Sequence, residues 1–324
     1  MTSSGPIQKS HTPIRFLLFF FSALFVASAA IRPLWEPDEG RYTGAALQML
    51  ERGDWIHPQL NPEQPHFSKP PMVYWSVMLG LRFFGCREWA ARLPNMVSWI
   101  AILFLLVQAG RRFMPDRSHA PALIFASSVY TFLAFSFITP DILLSLWEAL
   151  AAAGFLFARY RSGRKDSRFW LMIAFTALGL GFLTKGPPAL LPWLAWWISA
   201  RLLRDEAARR QSRWLPGILL FLAVGFSWYL VVILQEPRLL DFFLRGEVAE
   251  RMLTSAHSRN PQWYKGFQIY GSLLAGGFLP WTLAALVAWI PAWRRLDKAW
   301  LRRLKETEPW TVYFLVWLGF SLVL

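Results

Sequence analysis

Apolar residues fall along this chain in blocks with almost no charge inside them, separated by polar segments rich in arginine. A hydrocarbon core of ~30 Å takes about 20 residues of α-helix at 1.5 Å per residue, and each block has roughly that length. The pattern predicts membrane-spanning helices over Ile14–Ile31, Trp89–Gly110, Ala120–Ile138, Ile142–Tyr160, Phe169–Leu183, Ala189–Leu203, Leu215–Leu234, Phe267–Ile290 and Pro309–Leu324. The first block is long for the apolar region of a signal peptide, and Arg32, Pro33 and Trp35 follow it where a small-residue cleavage site would stand; it is read as a retained span. The expected fold class is an all-α polytopic membrane protein.

Charge then sets the topology. Most of the 34 basic residues crowd into short joining segments, such as Arg159, Arg161, Arg164, Lys165 and Arg168, or Arg201, Arg204, Arg209, Arg210 and Arg213. The rest are spread mainly over two long segments, 32–88 and 235–266. By the positive-inside rule the crowded segments face the cytoplasm, so the amino terminus is inside and the two long segments are external. Pro70–Gly85 is apolar but too short to cross, and it carries Arg82. Counting it as a span would turn the basic clusters outward, so it is expected to lie as an amphipathic helix at the outer surface.

Composition agrees. Of 324 residues, 55% are hydrophobic and 17% charged, against about a quarter charged in a soluble protein. A net charge of +14 would suggest nucleic acid in a soluble chain; here the cytoplasmic loops account for it, and the expected partner is the bilayer, with no nucleic acid. The single cysteine, Cys86, excludes an internal disulfide framework and a cysteine-rich metal site.

This topology collects one set of polar residues on the external side, where ionisable groups at membrane depth mark functional sites. In Trp35-Glu36-Pro37-Asp38-Glu39-Gly40-Arg41-Tyr42, Asp38 can cap the helix that follows, or serve as a carboxylate that orients or deprotonates an acceptor hydroxyl. Lys69, before Pro70-Pro71, can snorkel to the interface or reach a phosphate. Asp141 in Ile138-Thr139-Pro140-Asp141 caps a helix or points inward as a second acid. Lys185, in Leu183-Thr184-Lys185-Gly186-Pro187-Pro188, places a cation in a turn that breaks two helices. His257, with Glu247 nearby in the second long segment, is open to a surface, phosphate or metal role; its spacing defines no metal site. No Gly-rich phosphate loop, HExxH or GxSxG motif occurs, which removes support for nucleotide-sugar, metalloprotease and serine-hydrolase readings.

The runs WEPDEGRYTGAALQMLERGDWIHPQL, HFSKPPMVYW, ITPD, LTKGPPALLP and EPRLLDFFLRGEVAERMLTSAHSRNPQWY resemble, in order and spacing, successive motifs of the polyprenyl-phosphate-sugar-dependent membrane glycosyltransferases of the GT-C fold. Within that group the chain is most similar to the aminoarabinose transferases that modify lipid A, and more distantly to protein O-mannosyltransferases. The resemblance implies a GT-C-like transmembrane domain over 1–324, with interfacial helices in the first external loop. It implies transfer, with inversion, from a polyprenyl-phosphate sugar to a lipid or protein acceptor at the outer leaflet of a bacterial inner membrane, the active face being periplasmic.

By the same resemblance, Asp38 and Asp141 are the catalytic carboxylates, and Lys69, Lys185 and His257 hold the donor phosphate. Glu39, Arg41, Tyr42 and Glu247 position substrate. The resemblance assigns no definite cofactor and leaves a divalent metal near His257 open. Where the aminoarabinose transferases usually have a glutamate before the first-loop lysine, this chain has Ser68, and that bears on both the metal and the sugar. The chain also stops inside an apolar run where relatives continue, so it reads as truncated. The rival readings are a lipid-carrier flippase, which would need ionisable groups near the bilayer midplane and an internal repeat, and an inactive fragment of such a transferase.

Overall fold

A computed structural model describes residues 12–61, 64–67, 69–160, 164–243, 264–293, 306 and 308–323. The chain is a polytopic helical membrane protein. Among the described residues four helices are each long and apolar enough to cross a bilayer: α1 (Thr12–Ile31), α5 (Leu93–Phe113), α8 (Pro140–Tyr160) and α9 (Arg164–Lys185). Between α1 and α5 stand α2 (Asp38–Arg52), the paired segments β1 (Gln59–Asn61) and β2 (Gln64–Pro65), α3 (Met72–Phe84) and the short α4 (Glu88–Ala91). α6 (Ala120–Ser127), α7 (Val129–Phe135), α10 (Leu191–Leu202), α11 (Glu206–Ser212), α12 (Leu215–Gly225), α13 (Ser227–Gln235) and α14 (Arg238–Asp241) follow in turn. The remaining described helices are α15 (Lys265–Ser272), α16 (Trp281–Trp293) and α17 (Pro309–Val323).

Three expected straight spans are bent. α6 and α7 meet at 62°, the unit ending in α12 meets α13 at 43°, and the unit beginning with α15 meets α16 at 98°. At the first break, Ser127 Oγ donates to the Leu123 carbonyl and Ser128 Oγ to the Ile124 carbonyl, while Thr131 Oγ1 donates to those of Phe125 and Ser128. Hydroxyls bonded back onto helix carbonyls compete with the main-chain ladder and bend it. At the third, Pro280 has no N–H to give.

α3 is 13 residues long, about 20 Å at the helical rise and short of a crossing, as its charge and length predict. Its buried face, Val73, Tyr74, Val77, Met78 and Leu81, packs on Tyr42, Ala45, Ala46 and Met49 of α2. Gly80 permits the approach of α4: a Cβ there would lie 2.1 Å from the Ala90 carbonyl oxygen. α2 ends at Gly53, whose φ of 66° closes the helix, with the Asp54 N–H returning to the Met49 carbonyl. The following turn is stapled from two directions, by the Trp75 indole on the Trp55 carbonyl (2.6 Å) and the Trp228 indole on that of Ile56 (2.8 Å).

The largest core lies between the long antiparallel pair α8 and α9. Ala151, Ala152 and Phe155 pack on Leu171, Ala174, Phe175 and Leu178, and α10 and α17 add Trp196 and Tyr313. Small residues bring such helices close where lipid supplies little hydrophobic drive. Because α8 and α9 run in opposite directions, the first turn of α8 and the last turn of α9 share one end of the bundle. The site is at that end.

Candidate active site

The frame of the site is a buried guanidinium. Arg92, just before α5, is fully buried and uses all five of its N–H donors. Nε and one Nη2 hydrogen hold the two Glu39 carboxylate oxygens at 2.8 and 2.9 Å; Nη1 donates to the Ala29 and Arg32 carbonyls, and Nη2 also to that of Pro33 at 2.7 Å. Glu39 has no exposed surface. It also takes Arg32 at 2.9 Å, the Trp35 N–H at 2.9 Å and the Ile138 N–H at 3.3 Å. Burial alone would raise its pKa; the Arg92 and Trp35 hydrogen bonds and the charges of Arg92 and Arg32 outweigh that and hold the carboxyl below the ordinary glutamate range. One turn on, Asn95 is buried and donates to the Phe135 and Phe137 carbonyls. The start of α5 therefore grips the segment ahead of Asp38 on one side and the segment ahead of Asp141 on the other.

This corrects the expectation for Glu39. It was read as a substrate-positioning residue, but its carboxylate is saturated inside the protein and acts only by placing its neighbours. Asp38, one residue away, turns outward. Pro37 occupies the N-cap position with no side-chain cap bond, so Asp38 lies inside the first turn and does not cap it; its half-exposed carboxylate pairs with Arg41. The Arg41 guanidinium lies 5.4 Å from the centre of the Tyr42 ring.

On the other side, Asp141 follows Pro140 in the first turn of α8, and its exposed carboxylate pairs with Lys185 at the end of α9. Gly186, at φ 78°, ends that helix immediately after the lysine. Tyr42 joins the two halves. Its ring is buried 5.9 Å from that of Tyr74, and both Asp38 and Asp141 act on its hydroxyl electrostatically. Burial pushes the Tyr42 pKa up, with Arg41 opposing and the two aspartates adding to the rise. The third cation enters through His66: burial first, then the charges of Arg41 and Lys69, hold its pKa below the ordinary histidine value. Asp38, Arg41, Tyr42, Lys69, Asp141 and Lys185 thus belong to one electrostatic neighbourhood, with anions and cations interleaved.

Glu247, His257 and Ser68 lie outside the described residues, and the metal option with them. Among the described residues no three His, Cys, Asp or Glu side chains converge to hold a metal ion. Arg92, His66 and Glu148 are additions to the sequence reading. Arg92 opens an apolar span, where an arginine passes for a snorkelling residue, and nothing in its local spacing points to Glu39. Glu148 is visible as the one acid in the run Ile142–Tyr160, eight residues into α8 and away from the external set of polar residues.

The comparisons agree with this architecture. The chain is similar to an undecaprenyl phosphate-alpha-4-amino-4-deoxy-L-arabinose arabinosyl transferase of Sodalis glossinidius, 32% identical over 286 residues, covering 86% of this chain and 49% of that one. A transferase of the same name from Pseudomonas savastanoi pv. phaseolicola is 29% identical over 311 residues, with 93% and 54% covered. The crystal structure of ArnT from Cupriavidus metallidurans in the apo state superposes with a TM-score of 0.74 at 25% identity, covering 95% of this chain and 54% of that one. The structure of the same protein bound to undecaprenyl phosphate gives 0.77 at 24% and bears on the fold alone. The chain spans about half the length of these relatives. Residues 68–234, just over half of it, match the family described as dolichyl-phosphate-mannose-protein mannosyltransferase, and the chain belongs to that family.

Proposed function

We propose that this protein transfers a sugar from a polyprenyl-phosphate donor to a lipid A-like or other acceptor at the outer leaflet of a bacterial inner membrane, its amino terminus cytoplasmic and its active face periplasmic. The observation that carries this reading is the pairing at one end of the bundle: Asp38 with Arg41 and Asp141 with Lys185, with Tyr42 in electrostatic reach of both acids. The arabinosyl transferases it resembles are named for an undecaprenyl-phosphate sugar, and a lipid-borne donor suits a site whose walls are membrane helices.

The interleaved charges suggest an exchange of partners. A donor phosphate draws Lys185, Arg41 and Lys69 towards its oxygens, since cations bind phosphate through charge-assisted hydrogen bonds. That exchange uncovers the aspartates. The acceptor oxygen then attacks the anomeric carbon opposite the phosphate; the new C–O bond forms as the old one breaks, and the electron pair leaves with the polyprenyl phosphate. Where the acceptor is a hydroxyl, its proton passes to Asp38. Where it is a phosphate, already ionised, Asp38 orients it. Cations on the leaving phosphate stabilise the charge that grows there, each worth about 10²–10³ in rate. Inversion at the anomeric carbon follows from the single displacement.

The test is incubation of the protein, in proteoliposomes, with a polyprenyl-phosphate sugar and lipid A, followed by mass analysis. Glycosylated lipid A with wild-type protein, and none with Asp38→Asn or Lys69→Ala at equal insertion, is the expected result. Transfer at wild-type rate in both variants would refute the site, and donor movement across the membrane without product would make the protein a carrier.

A further inference from the structure

α1 is bonded to the start of α5 at one end, and a groove lies between the two helices towards the other. Beside the candidate site Arg92 donates to the Ala29 and Arg32 carbonyls, and one turn in, Phe25 stacks on Trp99 with ring centres 4.4 Å apart. From that level onward the helices flank a groove of about 590 Å³, open to the outside between the exposed rings of Phe19 and Phe104. Leu18, Ser22 and Val26 line it from α1, and Ile100, Phe104 and Val107 from α5. Spacings of three and four residues put each set on one helix face. The small side chains of Ser22 and its neighbour Ala23, set among larger ones, leave the depth.

The two ends of the groove differ. The end nearer the candidate site is apolar, whereas the far end carries Gln108 and Arg111. Arg15 stands one turn before Leu18 and Phe19 on the same face of α1, and α1 and α5 run in opposite directions, so both arginines belong to the far end. Both are exposed. Among the described residues no carboxylate pairs with Arg15 or Arg111, and the Gln108 side chain has no hydrogen bond. Arg112, next in the chain, is by contrast occupied by the Tyr160 carbonyl at 2.8 Å. From Ile100 to Arg111 the groove runs about 16 Å at the helical rise, close to half of a ~30 Å hydrocarbon core.

We propose that this groove binds an anionic phospholipid of the leaflet opposite the candidate active site, with its phosphate between Arg15 and Arg111 and one acyl chain along the apolar walls. Walls of one leaflet's depth fit an acyl chain, and two unpaired guanidiniums fit a headgroup whose negative charge no ammonium balances. A zwitterionic lipid brings its own ammonium and gains less from the second arginine. A polyprenyl chain, much longer than one leaflet is deep, outruns the groove. The lipid ties α1 to α5 at the end that Arg92 does not reach. This inference needs the membrane fold alone and is independent of the transfer reaction.

The test titrates the purified protein in detergent with phosphatidylglycerol and with phosphatidylethanolamine of the same acyl chains, retained lipid being counted by native mass spectrometry. Wild type is compared with the double variant Arg15→Gln/Arg111→Gln, which removes both charges at exposed positions, and with Ala23→Trp, which fills the groove and leaves the charges. A basic side chain beside an anionic lipid is worth about fivefold in affinity, so wild type should favour phosphatidylglycerol by about 25-fold. The double variant should bind the two lipids equally, and Ala23→Trp should lose the retained lipid. A photoreactive group on the phosphatidylglycerol acyl chain should label 18–26 and 100–107 in wild type. Equal binding of both lipids by wild type, an anionic preference that survives the double variant, or label spread evenly over the other spans overturns the proposal. So do tighter binding of polyprenyl phosphate at the same residues and a dimer in the same spectra that excludes lipid. Melting curves without added lipid show whether the variants fold, and the wild-type labelling decides the question where Ala23→Trp does not.

Discussion

The clamp between Glu39 and Arg92 makes the most demanding prediction. Replacing Glu39 with alanine removes both carboxylate acceptors of a guanidinium that has no exposed surface, and strands the Trp35 and Ile138 N–H groups with it. Breaking a buried pair by deleting one partner costs about 3–5 kcal/mol, because the remaining charge is left uncompensated. Against a total stability of about 5–15 kcal/mol this is a severe loss. Glu39→Gln keeps one acceptor and should cost less. Replacing both residues together, Glu39→Leu with Arg92→Met, should recover only part of the loss, since the carbonyls of Ala29, Arg32 and Pro33 then lose the guanidinium too. Denaturant titration in mixed micelles, followed by tryptophan fluorescence, measures each variant, and donor binding at a permissive temperature measures the site. Binding should weaken although Asp38 and Arg41 are untouched. A Glu39→Ala protein within about 1 kcal/mol of wild type would show that the clamp is not buried and saturated as described.

Further outcomes follow from the same geometry. Glu39 is held below the ordinary glutamate value of about 4.3, so its contribution is complete above that pH and is lost as pH falls through and below it; Glu39→Gln should blunt that acid sensitivity in melting curves, and an unchanged curve contradicts it. Lys185→Met should slow transfer by about 10²–10³ with folding intact, read by mass analysis of product; a full rate would remove Lys185 from the phosphate site. Gly80→Ala places a methyl 2.1 Å from the Ala90 carbonyl and should cost about 1–3 kcal/mol, measured by the same denaturation; wild-type stability would disprove the close approach. In a Cys86→Ser background, cysteines placed at 38 and 141 should react with an impermeant thiol reagent from one side of the membrane only, and labelling from opposite sides would dismantle the site.

Much of this was legible in the sequence because a bilayer constrains length and charge so strictly. The long spans, the shortness of α3 and the convergence of Asp38, Lys69, Asp141 and Lys185 follow from hydropathy and arginine counts. The bends do not. Ala120–Ile138 is uniformly apolar, and what breaks it is the competition of Ser127, Ser128 and Thr131 hydroxyls for carbonyls, an effect with no signature in hydropathy. Nor does the pairing of Glu39 with Arg92, 53 residues apart, show in either local motif: one passes for a helix start and the other for a span edge. Glu148 was visible as a lone acid in an apolar run, but reasoning from loop charge asks which side a residue faces and never how deep it lies.

The saturated guanidinium has one more consequence. Arg92 opens one crossing and grips the carbonyls that close another, so α1 and α5 are yoked at the rim where Asp38 stands. A bilayer that tilts either crossing carries the other along, and the height of the aspartate above the lipid is preserved. In the proposed transfer the substrates have to travel to the carboxylate; it is not free to reach for them.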